Sequence, residues 1–440
     1  MTAQAAVLEE LPPSPERVKK AKKATLVAVF GTFIEYYDFS VYGYVAATLA
    51  VVFFPSDDPI MGLLNTLLVF GAAFVVRPIG AIFFGRLGDK KGRRTSLIAS
   101  VTLMGAAGFI TGLLPGYAQI GVWAPILLVL MRILQGFSTG GEIGGAASYI
   151  REWAPPKRRP LYISFIPSIA QLGKGLAAGI AALIALALSG PAMESWGWRI
   201  PFLLALPLGA LCLYMRLQVE DSPEFVAAKA KGNTDDKPVK DLFKNYRAPV
   251  LKVILIATVQ TIGTYVGTVY ISVYFSSVLG FSKGAASTVV LLAVLLAAVL
   301  IPIFGLLGNR FGGKRILVIS FAAYVLLTLP AFLLMNQGNI GVAMLGLALS
   351  MIPYALCQAG TYAVMPEFFP VEVRHTGVAF SHSTGAVIGG LTPFLATFVI
   401  AQTGNNYVPG FMMVIAGLTG FLVITVAARK LPATASHLYS

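Results

Sequence analysis

The chain has 440 residues, of which 57% are hydrophobic and 12% charged, with a formal net charge of +14. Soluble domains run at about 45–50% apolar and about 25% charged, so this composition excludes an ordinary soluble protein. A disulfide framework and a cysteine metal site are excluded too, because the two cysteines, Cys212 and Cys357, both fall in or at the edge of apolar runs.

In chain order, a polar, basic segment over residues 1–24 comes first. The apolar run after it is too long for a signal-peptide core, so no cleavage is expected. Apolar runs then recur near 25–53, 60–84, 95–114, 121–149, 161–188 and 197–216. A polar stretch over 217–248 interrupts the series. Six more runs follow near 249–278, 285–307, 315–335, 338–365, 373–402 and 408–428, ahead of a short tail over 430–440. Each is long enough to cross a hydrocarbon layer of ~30 Å at about 1.5 Å per residue. An open sheet would leave backbone groups unsatisfied in lipid, and the alternating segments of a β-barrel are absent. The expectation is an all-α membrane protein of twelve transmembrane helices, arranged as a bundle over 25–216, a cytoplasmic linker over 217–248 and a second bundle over 249–429.

The positive charge is distributed by side. With an even number of spans, one side receives Arg17, Lys19, Lys20, Lys22, Lys23, the 86–94 cluster, Arg151, Lys157, Arg158, Arg159 and most of 216–252. It also receives Arg310, Lys314, Arg315, Arg374, Arg429 and Lys430, whereas the opposite loops hold little beyond Arg199 and Lys283. This is the positive-inside pattern, so both termini are expected in the cytoplasm, and the cations speak for a lipid bilayer rather than nucleic acid.

The two halves echo one another. "GRLGDKKGRRTSL" (85–97) aligns without a gap on "GLLGNRFGGKRIL" (305–317), matching Gly85, Gly88, Gly92 and Leu97 to Gly305, Gly308, Gly312 and Leu317. "EWAPPKRR" (152–159) and "EFFPVEVR" (367–374) share E-x-x-P-x-x-x-R. Short cytoplasmic turns explain such a composition but not its register, which points to a duplicated six-helix unit.

These strings carry a resemblance. "GRLGDKKGRR" resembles the G-x-L-x-D-x-x-G-R-R/K loop of the major facilitator superfamily, and "RILQG" (132–136) its R-x-x-Q-G motif. "IEYYDFSVYGY" (34–44), "RPIG" (77–80), "QGFSTGGE" (135–142), "WGWRIPF" (196–202) and "GGLTP" (389–393) resemble its metabolite:proton symporter branch, which includes proline/betaine, α-ketoglutarate, shikimate and citrate carriers. The resemblance covers nearly the whole chain. It implies two pseudo-symmetric six-helix bundles, a multi-pass place in a bacterial inner membrane, and function as a single chain. It also implies a cytoplasmic latch in which the loop acid meets a helix N-terminus and arginines of the neighbouring half. Here that role falls to Gly85, Asp89 and Arg93, with Glu142, Glu152, Arg159, Glu367 and Arg374 as further members. A purely topogenic turn is the alternative. The second copy departs from the motif, with Asn309 in place of the acid, so a second latch should be weaker.

Ionisable residues at membrane depth are costly and mark functional candidates. At ~1.5 Å per residue from the cytoplasmic ends, Asp38 and Lys174 lie at about 21 Å, Arg132 at about 27 Å and His382 at about 15 Å. Glu35 and Asp38 lie one turn apart on one face of the first helix. A poorly solvated carboxylate tends to hold a proton and a nearby cation opposes this, so Asp38, then Glu35, are candidates for proton coupling with Arg132 as partner. A static ion pair is the competing reading. Lys174 either attracts an anionic solute or pairs with Glu35 or Asp38. Arg77 either contacts solute or binds the linker or a helix end. Tyr42, Gln171, Gln260, Tyr265, Tyr354 and Gln358 are candidate orienting groups, and His382 is either a pH-responsive contact or a packing residue.

The resulting expectation is a proton-coupled symporter importing a small polar solute, with no cofactor and no metal. No phosphate-binding G-x-x-x-x-G-K-[ST] loop supports an ATP-driven pump, and no nucleophile–base or metal-ligand cluster supports an enzyme. The cations Arg77, Arg132 and Lys174 favour a mono-, di- or keto-carboxylate. A zwitterionic osmolyte such as proline or betaine is the alternative, with tyrosine faces available to a quaternary ammonium. A non-transporting membrane sensor is the rival of a different class.

Overall fold

The computed structural model describes residues 15–91, 93–140, 142, 146, 150, 159–218, 242, 244–369 and 371–426. Within them the chain runs as helices in the twelve expected places. Helix α1 spans Pro15–Tyr44 and, past a break at Val45, Ala46–Phe53. Helix α2 spans Pro59–Val75 and Arg77–Lys91, broken at Val76 beside Pro78, whose ring removes a backbone donor. Then come α3 (Arg93–Leu113), α4 (Trp123–Thr139), α5 (Arg159–Ala187) and α6 (Gly190–Leu217). The second six are α7 (Arg247–Val278), α8 (Lys283–Phe311), α9 (Gly313–Met335), α10 (Ile340–Phe368), α11 (Val371–Thr403) and α12 (Val408–Val426). Among the described residues ten stretches are long and apolar enough to cross a membrane, and α1 and α4 fill the remaining two places.

The helix starts follow local chemistry. Asp58 Oδ1 accepts from Ile60 N at 2.9 Å, Ser282 Oγ from Ala285 N at 3.3 Å, and Asn339 Oδ1 from Gly341 N at 2.8 Å. Each cap satisfies an amide that the first turn leaves free. Gly312, matched by the repeat to Gly92, closes α8 at φ 85°, a conformation that favours glycine. Prolines sit inside α5, α8, α9, α10 and α11 at Pro167, Pro302, Pro330, Pro353 and Pro393. The continuous helix expected over 249–278 is interrupted by π-helical turns at Tyr265–Tyr270 and Tyr274–Val278. The expected sixth helix over 197–216 begins earlier, through a π turn at Met193–Gly197.

Small residues let the helices approach. A Cβ on Gly136 of α4 would run into the Ala73 carbonyl of α2, and one on Gly173 of α5 into the Phe33 carbonyl of α1. Helix α5 packs along α8, and α2 along α11, joining the first six helices to the second six. At the Tyr44 end of α1 the join is direct, since the Tyr44 hydroxyl donates to Thr268 O of α7 at 3.0 Å. Leu183, Leu186, Val299, Leu326 and Ile415 project outward, forming the apolar surface that a bilayer requires. The charges do the opposite: Glu35, Asp38, Arg77, Arg132, Lys174 and His382 are each at most 3% exposed.

Candidate functional site

Among the described residues, the buried polar side chains around the candidate residues fall into four groups. In the first, Gln135 Nε2 donates to Asp38 Oδ2 at 2.5 Å, and Arg132 Nη1 donates to Gln135 Oε1 at 2.6 Å. Arg132 is therefore linked to Asp38 through the Gln135 amide, where the sequence suggested a direct grip. One turn of α4 separates Arg132 from Gln135, so the glutamine lies on the same face and bridges the gap. The Arg132 guanidinium stands 4.4 Å from the Tyr42 ring centre and 4.9 Å from that of Phe39. Its Nε and Nη2 have no hydrogen-bond partner among the described residues. Gly108 of α3 makes room for Asp38, because a Cβ there would collide with Oδ1. The Tyr42 hydroxyl donates to Thr66 O at 3.1 Å, so its polar tip is occupied inside the first bundle.

The second group starts at Glu35. Arg77 Nη1 lies 3.7 Å from Glu35 Oε1, and its guanidinium sits 4.3 Å from the ring centres of both Phe39 and Phe74. Arg77 thus meets a carboxylate inside the bundle. Tyr265 of α7 packs on Phe74 with centroids 4.7 Å apart. Tyr362 of α10 lies near Glu35 and Tyr36, and 6.1 Å from the His382 ring. His382 Nε2 has no hydrogen-bond partner among the described residues.

The third group surrounds Lys174. Its ammonium donates to Gln171 Oε1 at 3.2 Å, Thr268 Oγ1 at 3.2 Å and Tyr354 Oη at 3.1 Å. Gln171 Nε2 donates to the same Tyr354 hydroxyl at 2.7 Å. The Tyr36 and Tyr354 rings stand 5.1 and 5.6 Å from Nζ. Of the two readings open for Lys174, pairing with Glu35 or Asp38 is absent here, and three neutral oxygens serve instead. Two of the three, Thr268 and Tyr354, come from the second six helices.

The fourth group adjoins it. Gln260 Nε2 donates to Gln358 Oε1 at 2.8 Å, and Gln358 Nε2 to Thr264 Oγ1 at 2.8 Å, while Gln260 Oε1 has no partner among the described residues. Gln135, Thr264 and Thr268 join the site although the sequence did not single them out. Gln135 was visible inside "RILQG", but a lone threonine in an apolar helix carries no signal. Tyr270 and Tyr274 lie elsewhere, bonded to Thr397 at 3.1 Å and to Asn336 at 2.8 Å.

Of the latch set, Glu142 forms an ion pair with Arg216 at the end of α6, and Arg216 Nη1 also donates to Leu97 O at 2.5 Å. Arg216 had been placed only among the cytoplasmic cations. Glu367 is half-buried. Glu152 and the side chains of Gly85, Asp89, Arg93, Arg159 and Arg374 lie outside the described residues. A cavity of about 600 Å³ opens where α1 and α2 meet α7 and α11, lined by Ala50, Phe54, Asp58, Ser277, Thr397 and Asn406, away from all four groups. Among the described residues no three His, Cys, Asp or Glu side chains gather as metal ligands.

Twelve helices with charges sealed where two sets of six meet define a membrane transporter. The family model described as "Sugar (and other) transporter" matches residues 24–240, and that of the "Major Facilitator Superfamily" matches 253–438. The chain is 33% identical to the glycine betaine/proline/ectoine/pipecolic acid transporter OusA of Dickeya dadantii, over 92% of this chain and 82% of that protein. It is 33% identical to the proline/betaine transporter of Escherichia coli K12 over the same shares, and 37% identical to that organism's inner membrane metabolite transport protein YhjE, over 91% and 93%. A structure of the proton:xylose symporter XylE superposes with a TM-score of 0.76 at 19% identity, covering 94% of this chain and 97% of that one. The chain belongs to the major facilitator superfamily, in its metabolite:proton symporter branch, and is a multi-pass membrane protein.

Proposed function

We propose that this protein imports a small zwitterionic solute of the betaine or proline kind together with protons, by alternating access. The observation that carries the reading is Lys174, an amine sealed between the two halves, held by neutral oxygens and flanked by tyrosine rings. A buried cation without a carboxylate partner is costly, and a solute carboxylate would offset that cost. The tyrosine faces suit an alkylated ammonium. A bare organic acid would satisfy Lys174 but would bring a second negative charge toward the acids of α1. The relatives named for betaine, proline and ectoine support the same choice over carboxylate import.

In this reading Asp38 carries the coupled proton. Its link to Arg132 runs through a single amide, so a change in the spacing of α1 and α4 alters how strongly the cation opposes protonation. In the same reading the ion pair of Glu142 and Arg216 holds the cytoplasmic end of α6.

Counterflow in proteoliposomes tests the substrate class. Vesicles preloaded with unlabelled glycine betaine or proline should concentrate the labelled solute, whereas vesicles loaded with α-ketoglutarate should not. Counterflow with the dicarboxylate alone would overturn the zwitterion reading. Absence of counterflow with every solute would favour the sensor.

A further inference from the structure

We propose that Glu35 is the group that receives the cationic nitrogen of the solute, with Lys174 receiving its carboxylate; this rests on the zwitterion reading above. The two acids of α1 are three residues apart but stand in different surroundings. Asp38 is engaged within the first six helices by Gln135 of α4, with Gly108 of α3 behind it. Glu35 is 1% exposed, yet neither of its oxygens accepts a hydrogen bond among the described residues. Buried charges are paired or hydrogen-bonded, so a carboxylate with two open acceptors is a place for a cation: the ammonium of a proline-like solute would donate to it, and the trimethylammonium of a betaine, which has no N–H, would answer its charge alone.

Arg77, with Arg216 acting electrostatically alongside it and Glu142 opposing as a like charge, answers the charge of Glu35 but not those acceptors, since Arg77 stands at 3.7 Å with its guanidinium held by the Phe39 and Phe74 rings. Tyr36, Tyr265 and Tyr362 all lie within electrostatic reach of Glu35, and the last two belong to the second six helices. Glu35 therefore faces the join between the halves. Tyr36 connects the two ends of the site, being the chain neighbour of Glu35 while its ring stands 5.1 Å from Lys174 Nζ. A zwitterion laid along Tyr36 pairs its ammonium with Glu35 and its carboxylate with Lys174. It adds no net charge to a sealed interior. A site built around a charged contact rejects an isostere that lacks it far more strongly than an apolar pocket rejects a change of shape.

The test compares glycine betaine with 3,3-dimethylbutyrate, its uncharged-head isostere, as competitors of labelled glycine betaine counterflow with no pH gradient. The wild type should prefer betaine at least tenfold. In Glu35→Gln the half-saturation for betaine should rise at least tenfold and the preference should shrink to about twofold or less. Glu35→Asp, which retains the charge on a shorter stem, should keep the preference, and Glu35→Ala provides a second neutral head should the glutamine variant fail to reconstitute. A neutral variant that transports betaine and still prefers it tenfold would overturn the assignment while leaving the zwitterion reading standing. A wild type with no preference would overturn that reading itself.

Discussion

Lys174 is the residue on which solute recognition turns. Its aliphatic stem and amine are fully buried, and its three hydrogen bonds reach both halves of the molecule. Lys174→Met keeps much of the volume and removes the charge, so counterflow half-saturation should rise at least tenfold, read as the concentration dependence of exchange. An unchanged value would remove Lys174 from the binding site. Asp38 predicts a different phenotype. Asp38→Asn keeps a side chain that can bond Gln135 but cannot carry the proton, so gradient-driven accumulation should be lost while exchange at equal pH survives. Full accumulation by this variant would exclude Asp38 as the coupling group. The contrast between Asp38 and Glu35 was not legible from spacing, because a separation of three residues places both acids on one helical face. What divides them is tertiary: glutamine and glycine of neighbouring helices enclose one, and a tyrosine-lined join between halves faces the other.

At the scale of elements, close helix approach and one buried ion pair govern stability. Gly136 of α4 lies against the backbone of α2, so Gly136→Ala forces two helices apart. Overpacking of this kind costs about 1–3 kcal/mol, and the melting temperature of the detergent-solubilised protein should fall by several degrees. Gly190→Ala, where nothing stands within 4 Å of a new Cβ, is the matched control and should not move it. At the end of α6, Arg216 holds Glu142 and the Leu97 carbonyl together. Arg216→Ala strands a buried carboxylate, at a cost of about 3–5 kcal/mol. Adding Glu142→Gln should recover part of the loss, and a double variant no more stable than Arg216→Ala would deny the coupling. Most helices were legible because apolar runs of about twenty residues have no alternative in lipid. The π turns of α7 were not, since Tyr265–Tyr270 holds neither proline nor an unusual pattern. The first of them carries Tyr265 and Thr268, whose partners Phe74 and Lys174 lie far away in the chain.

At the scale of the whole molecule, both sets of six helices hold Lys174, whereas Asp38 and Arg132, Glu35 and Arg77, and Glu142 and Arg216 are met within the first six. The two sequence echoes, from Gly85 to Gly305 and from Glu152 to Glu367, suggest a repeated six-helix unit, and the charge bias gives its expected orientation. The pairing of buried groups was less readable, because hydropathy marks which residues are stranded in the membrane but not which neighbours answer them. Lys174 could be named from the sequence, whereas its partners Thr268 and Tyr354 lie 94 and 180 residues away.

The most direct test of proton coupling is the proton itself. In weakly buffered proteoliposomes, with potassium and valinomycin relieving the charge that builds up, addition of glycine betaine outside should make the external medium more alkaline as protons enter with the solute. The signal should vanish with a protonophore and in Asp38→Asn. Uptake of labelled betaine without any accompanying pH change, in vesicles tight to protons, would contradict proton-coupled import.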